Sequence, residues 1–275
     1  MSYSVALPLG GYAGWKMLTQ TMERQKAAFA ESAQIQTTEA YFRKKIGSVT
    51  SAQDLVSDYR LLSVALGAFG LDEDIRSTYF IRKVLSEGTT DPKSFANKLT
   101  DKSYQALSAA FGFGPGETPR TSEPGFADTI LKKFETRAFE TAVGAQNDAM
   151  RIALNAERSL PEMAASGATN NTLWYQIIGS EPLSAYMQGA LGLPDSIAAL
   201  DVDRQLDIYK AKARAVFGSD AVAQLASGKT MDKMTRNYLI RDQIENGTTV
   251  ANSPALQILQ ASRASGGTSI LSLLL

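Results

Sequence analysis

The chain has 275 residues, 44% hydrophobic and 20% charged, with 28 basic side chains balanced by 28 acidic ones. That size and mix support a folded core without staples, and zero formal charge gives no general field to attract nucleic acid or anionic lipid. Cysteine and histidine are both absent, which removes disulfides, thiolate metal sites, cysteine nucleophiles, the commonest general base and every Ser-His-Asp triad.

Residues 1–11 mix Ser, Pro and Gly with a few apolar residues and predict a flexible arm. No basic residue precedes Val5 to Leu9 and Pro8 interrupts it, so no cleavable signal peptide is expected. From Tyr12 to Ile46, the positions Trp15, Leu18, Met22, Phe29, Ile35 and Phe42 recur at loose helical spacing, which predicts one long helix or a broken pair. Ser51 with Asp54 three residues on reads as a capped start, followed by Leu55, Tyr59, Leu62, Leu66 and Phe69 on one stripe. Gly67 and Gly70 break that helix; Asp72-Glu73-Asp74 opens the next, carried by Ile75, Tyr79, Val84 and Leu85 as far as Gly88. Asp91-Pro92 introduces a short helix with Phe95 and Leu99, and Tyr104, Leu107 and Phe111 mark another. Residues 12–111 thus form a first helical unit.

Residues 112–125 hold seven glycines and prolines, too many for a regular element, and predict an exposed loop or linker. A helical pattern then runs for some thirty residues from Phe126 to Leu160-Pro161, rich in alanine. Shorter helical segments follow, separated by Gly179, Gly192, Gly218 and Gly228, with a last one from Pro254 to Ala264. These make a second helical unit, 126–264, and 265–275 is an apolar tail. No run alternates as a strand does, and no stretch approaches the roughly 18 apolar residues of a membrane span. The fold class expected is all-α, a multihelical bundle with flexible termini. Gly67-Ala68-Phe69-Gly70-Leu71 with Ile75 aligns with Gly189-Ala190-Leu191-Gly192-Leu193 with Ile197 at constant offset, which suggests two similar helical units.

Few residues suggest chemistry. Asp72, Glu73 and Asp74, like Asp201 and Asp203, begin helices, where carboxylates complement the helix dipole. Gly112-Phe113-Gly114-Pro115-Gly116 lacks the strand, spacing and Gly-Lys-Ser/Thr ending of a phosphate loop. Arg43-Lys44-Lys45 and Lys132-Lys133 read as solvated helix faces. Trp174, beside Leu173, Ile177 and Ile178, reads as core. Trp15, with few apolar neighbours, is a candidate partner-binding residue, joined by Ile270, Leu271, Leu273 and Leu274 of the apolar tail. No catalytic residue, cofactor or metal is expected, and a His-free carboxylate enzyme stands as a remote alternative.

Several motifs together resemble an uncharacterised bacterial family found in flagellar gene clusters. They are Asp58-Tyr59-Arg60-Leu61-Leu62, Ala65-Leu66-Gly67-Ala68-Phe69-Gly70-Leu71, Phe80-Ile81-Arg82-Lys83-Val84-Leu85, Asp91-Pro92-Lys93-Ser94-Phe95-Ala96-Asn97 and Ala109-Ala110-Phe111-Gly112-Phe113. In the second half Leu173-Trp174-Tyr175, Leu191-Gly192-Leu193-Pro194 and Leu200-Asp201-Val202-Asp203-Arg204-Gln205-Leu206 belong with them, so the similarity spans roughly 45–250. The resemblance implies a multihelical, non-enzymatic protein acting in flagellar structure or assembly, at the basal body or in the cytoplasm. Its implied partners are flagellar rod, hook or export components, with self-association open. A cytoplasmic chaperone or regulator of flagellar export is the alternative reading. Rod and hook proteins carry β-rich middle domains, and this sequence shows none.

Overall fold

Within residues 4–246, which the computed structural model describes, every regular element is a helix. The chain runs through α1 (Gly11–Ala30), α2 (Ala33–Ile46), α3 (Ala52–Ser57), α4 (Tyr59–Phe69), α5 (Thr78–Glu87), α6 (Phe95–Lys98), α7 (Lys102–Phe111) and α8 (Phe126–Gly144). It continues through α9 (Asp148–Ala164), α10 (Asn170–Gly179), α11 (Glu181–Leu191), α12 (Val202–Phe217), α13 (Val222–Leu225) and α14 (Gly228–Glu245). Short 3-10 turns, Asp72–Arg76 and Asp195–Ala199, precede α5 and α12.

Side-chain caps set several of these boundaries. Ser51 Oγ accepts from the Asp54 amide at 3.1 Å, as the sequence predicts. Asp58 ends α3 and caps α4, its Oδ1 accepting from the Arg60 and Leu61 amides, so the chain turns with no intervening loop. Asn147 accepts from the Met150 amide at 2.9 Å and starts α9 there. That cap divides the thirty-residue stretch expected to be one helix, and α9 folds back onto α8. The 12–46 stretch is the broken pair, parted at Glu31 and Ser32.

Residues 4–10 are no free arm. Val5 is 3% exposed, the Ala6 amide donates to Gln25 Oε1 at 2.8 Å, and Gln146 Nε2 donates to the Val5 carbonyl at 2.6 Å. Burial of Val5 and satisfaction of its backbone by two glutamines hold the segment against α1 and the α8–α9 turn. The Gly/Pro segment 112–125 is likewise packed: Thr121 is buried and donates to the Val49 carbonyl, and Phe111 stacks edge-on against Phe126.

Two hydrophobic clusters form the interior, and α8 serves both. Its Ile130 and Leu131 pack with Leu62, Leu66, Ile81 and Phe111, while Phe139 and Val143 pack with Trp15, Trp174, Tyr186 and Leu239. Phe134, between them, touches both. The helix therefore completes the first half, where the sequence pattern places the start of the second.

The internal similarity is a repeat of structure. In the first half α2 packs on α4 and α8, and α3 on α4 and α5; in the second α9 packs on α11 and α14, and α10 on α11 and α12. Both α4 and α11 end at a left-handed glycine, Gly70 or Gly192, with φ near +70°. Each is closed by the same bond, Leu71 N to Leu66 O at 3.0 Å and Leu193 N to Gln188 O at 2.9 Å, and leads into a 3-10 turn. The close approaches repeat as well. A side chain at Gly67 would strike the Phe134 ring and one at Gly70 the Arg137 guanidinium; at Gly189 and Gly192 the obstacles are the Tyr238 ring and Arg241.

Candidate functional site

The residues singled out from sequence are mostly absorbed by the fold. Trp15 is 3% exposed and lies in the larger core cluster with Val5, Leu18 and Met150, so it is not presented to a partner by the folded chain. Its apolar neighbours come from segments remote in sequence, which local spacing does not reveal. Ile270, Leu271, Leu273 and Leu274 lie outside the described residues. Trp174 is core, and its Nε1 donates to the Asp220 carbonyl at 2.8 Å.

Each acidic group has a structural task. Asp74 accepts from the Tyr104 hydroxyl, Asp201 caps α12 through the Arg204 amide, and Asp203 accepts from Tyr175. Among the described residues no group of three or more acidic side chains could hold a metal ion. The glycine-rich loop is filled by the chain's own carboxylate: Glu117 Oε1 accepts from the Thr89 amide at 3.1 Å and the Thr90 hydroxyl at 2.8 Å. An anionic ligand would meet that charge. Lys44, Lys45, Lys132 and Lys133 are exposed, and Arg43 pairs with Asp128.

Sequence periodicity gave no hint of three buried ionisable contacts. Glu39 on α2 is 8% exposed, meets the carboxyl of Glu135 on α8, and has no donor at its Oε1. Burial, and then Glu135, push its pKa up to about 7, against a weaker pull from Arg43. Between α8 and α9, Glu140 and Arg158 form a two-pronged ion pair at 2.7 and 3.1 Å. Glu157 of α9 accepts from Thr235 of α14, whose hydroxyl also meets Tyr186, and burial raises the Glu157 pKa. All three lie between packed helices, where they join elements and offer no open cleft to a substrate.

What the surface does present falls into three places. Leu9, Met17, Ile240 and Ile244 are exposed along α1 and α14, Ile244 by 77%. A groove of about 460 Å³ lies between the start of α1 and the end of α14, bordered by Leu9, Gly11, Ala13 and Gln243. A second groove of about 540 Å³ lies between α9, α11 and α14, with Ile152 and Leu193 on its walls, Tyr238 below, and Asp148, Asp195, Asp242 and Glu245 around it. Tyr238 is 7% exposed, and its hydroxyl makes no hydrogen bond within the described residues. Burial, and then Asp242 and Asp148, raise its pKa, so it stays a neutral hydroxyl. The repeat counterpart is Phe134, so the hydroxyl belongs to the second half alone.

Third, Tyr59 and Tyr79 stand out from the first half. Both fall on predicted apolar stripes, yet both are largely exposed, because they occupy the opening turns of α4 and α5 ahead of the buried positions Leu61 and Ile81.

A family model described as a protein of unknown function, DUF1217, matches residues 68–231. The chain belongs to this family. The matched DUF1217 region runs from the end of α4 to the first turn of α14 and takes in Gly70 and Gly192, the left-handed glycines that end α4 and α11. The X-ray structure of a protein from Agrobacterium tumefaciens superposes with a TM-score of 0.70 at 24% identity, covering 89% of this chain and all of that one, which establishes a shared fold. No curated protein matches the chain. No helix among the described residues is long and apolar enough to cross a membrane.

Proposed function

We propose that this DUF1217 protein is non-enzymatic and acts through protein–protein contacts in the structure or assembly of the bacterial flagellum. The flagellar part rests on the sequence resemblance, whose motifs fall on α4 to α7 and α10 to α12. The contact part rests on one observation: Leu9, Met17, Ile240 and Ile244 stand in solvent on or beside α1 and α14, and Leu9 borders a shallow groove between the two helices. Large apolar side chains left in solvent mark a surface for a partner to cover. The buried carboxylates, by contrast, are spent on helix-to-helix contacts.

The edge is tested by charge. Ile240→Lys together with Ile244→Lys leaves the buried face of α14 intact, so folding, read by circular dichroism, is expected to be unchanged. Capture of rod, hook or export proteins from motile cells by the tagged full chain is expected to be lost in the double variant. Equal capture by both chains contradicts the reading.

A further inference from the structure

The repeat that relates the two halves breaks at one place. Phe134 and Arg137 of α8 stand against Gly67 and Gly70 as Tyr238 and Arg241 of α14 stand against Gly189 and Gly192, so α8 and α14 are counterparts in a fixed register. Ahead of those residues their faces agree: Ile130 and Leu131 are buried in α8, and Met234 and Thr235 at the same places in α14. Past the arginines they part. Glu140, three residues after Arg137, is 7% exposed and is held by Arg158 of α9, the helix that folds back along α8. Ile244, three residues after Arg241, is 77% exposed, and Ile240, one turn before it on the same face, is exposed too. Where α8 lies beneath the next helix of the chain, α14 turns isoleucines to solvent.

The sequence supplies a next helix for α14 as well. In the first case α9 follows residues 145–147, is capped by Asn147, and buries Ala149, Met150 and Ala153 at its start. In the second, the described residues end at Asn246, one position past α14, and the sequence that follows predicts a helix over 254–264. Ser253 before Pro254 is a capping start, and Ala255, Leu256 and Leu259 stand as far from it as Ala149, Met150 and Ala153 stand from Asn147. Residues 246–253 make a connection of ordinary length for helices that fold back on one another. A segment as short as 254–264 is marginal as an isolated helix in water and gains its stability by packing.

We propose that residues 254–264 of the same chain dock along Ile240 and Ile244 of α14 as α9 docks along α8, with Leu256 and Leu259 on the contacting face. The occupant is the segment that α14 leads into, so the contact is intramolecular. It is apolar where the α8–α9 contact carries an ion pair, and salt does not weaken it. The inference stands apart from the flagellar reading; a partner that takes the α1–α14 edge displaces the segment first.

The chain contains no cysteine, so one introduced thiol reports on one position. In the full chain, Ile244→Cys is expected to react with a maleimide at least about tenfold more slowly than Lys132→Cys, at an exposed site on α8, and at a rate independent of protein concentration. Adding Leu256→Asp and Leu259→Asp, which lie outside the packed body, is expected to remove the difference. A second measurement needs no substitution: hydrogen exchange of the unaltered chain is expected to be slower across 255–264 than in a free peptide of the same sequence. Equal thiol rates at the two positions overturn the proposal, as does free-peptide exchange across 255–264. So does protection of Ile244→Cys that persists with both aspartates or that grows with concentration, since either result assigns the cover to something other than this segment of the same chain.

Discussion

Glu39 of α2 meets Glu135 of α8 carboxyl to carboxyl inside a helix interface. Two carboxylates that close cannot both ionise, so the folded chain holds a proton there to about pH 7, whereas an unfolded glutamate releases it near its ordinary 4.5. Below that lower value Glu39 is protonated in both states and the contact is at full strength. Between the two values only the folded form keeps the proton, so stability falls as pH rises through the window, by on the order of 2–3 kcal/mol in all. Glu39→Gln retains the shape and does not titrate. Urea unfolding at about pH 5 and about pH 8 is expected to show the variant gaining on wild type at the higher pH. A difference independent of pH contradicts the assignment.

Removing Glu140 leaves Arg158 without its two-pronged partner and beside Arg137, whose own charge burial already disfavours. Glu140→Ala is therefore expected to destabilise by about 3–5 kcal/mol, and adding Arg158→Ala to recover part of the loss. A double-mutant cycle checks this; costs that simply add would remove the pair as a tie between α8 and α9.

Trp15 provides a direct comparison between burial and recognition. Trp15→Ala is expected to cost about 3–5 kcal/mol in chemical unfolding, the usual price of emptying an aromatic site in a core. A side chain that served only a partner would leave the unfolding curve unchanged.

The left-handed glycines that end α4 and α11 are expected to behave alike. Gly70→Ala and Gly192→Ala each impose strain of about 1–3 kcal/mol and displace an arginine, Arg137 or Arg241. Gly116→Ala, also at positive φ but in open space, carries the backbone strain alone. Melting temperatures that place Gly70→Ala and Gly192→Ala on opposite sides of Gly116→Ala would break the equivalence of the two halves.

The helices were legible wherever a local signal coincided with burial. Ser51 caps α3, Gly70 and Gly192 end their helices, and the apolar stripes of α4 and α12 face inward, because each depends on neighbours within a turn. Readings that depended on distant segments went astray. Trp15 looked isolated because the core cluster it joins is completed from other helices, Val143 of α8 and Met150 of α9 among them. Residues 4–10 looked free because Gln25 and Gln146, far along the chain, satisfy their backbone. Asp91 does accept from the Lys93 amide as a capping side chain would, yet the short helix starts only at Phe95, whose amide goes to Glu87. Glu39 lies on a thinly apolar helix where a carboxylate ordinarily faces water, and only the packing of α2 on α8 buries it. Tyr59 and Tyr79 were read into the apolar stripes by the same periodicity that revealed the core, since they sit two positions ahead of the first buried residues, Leu61 and Ile81.

The central proposal, that this protein binds flagellar proteins, is tested most directly by affinity purification from motile cells followed by mass spectrometry. With the full tagged chain as bait and cross-linking before lysis, rod, hook or export proteins are expected to be enriched over a control from cells lacking flagella. Recovery of the bait with no flagellar protein above that control would contradict the account.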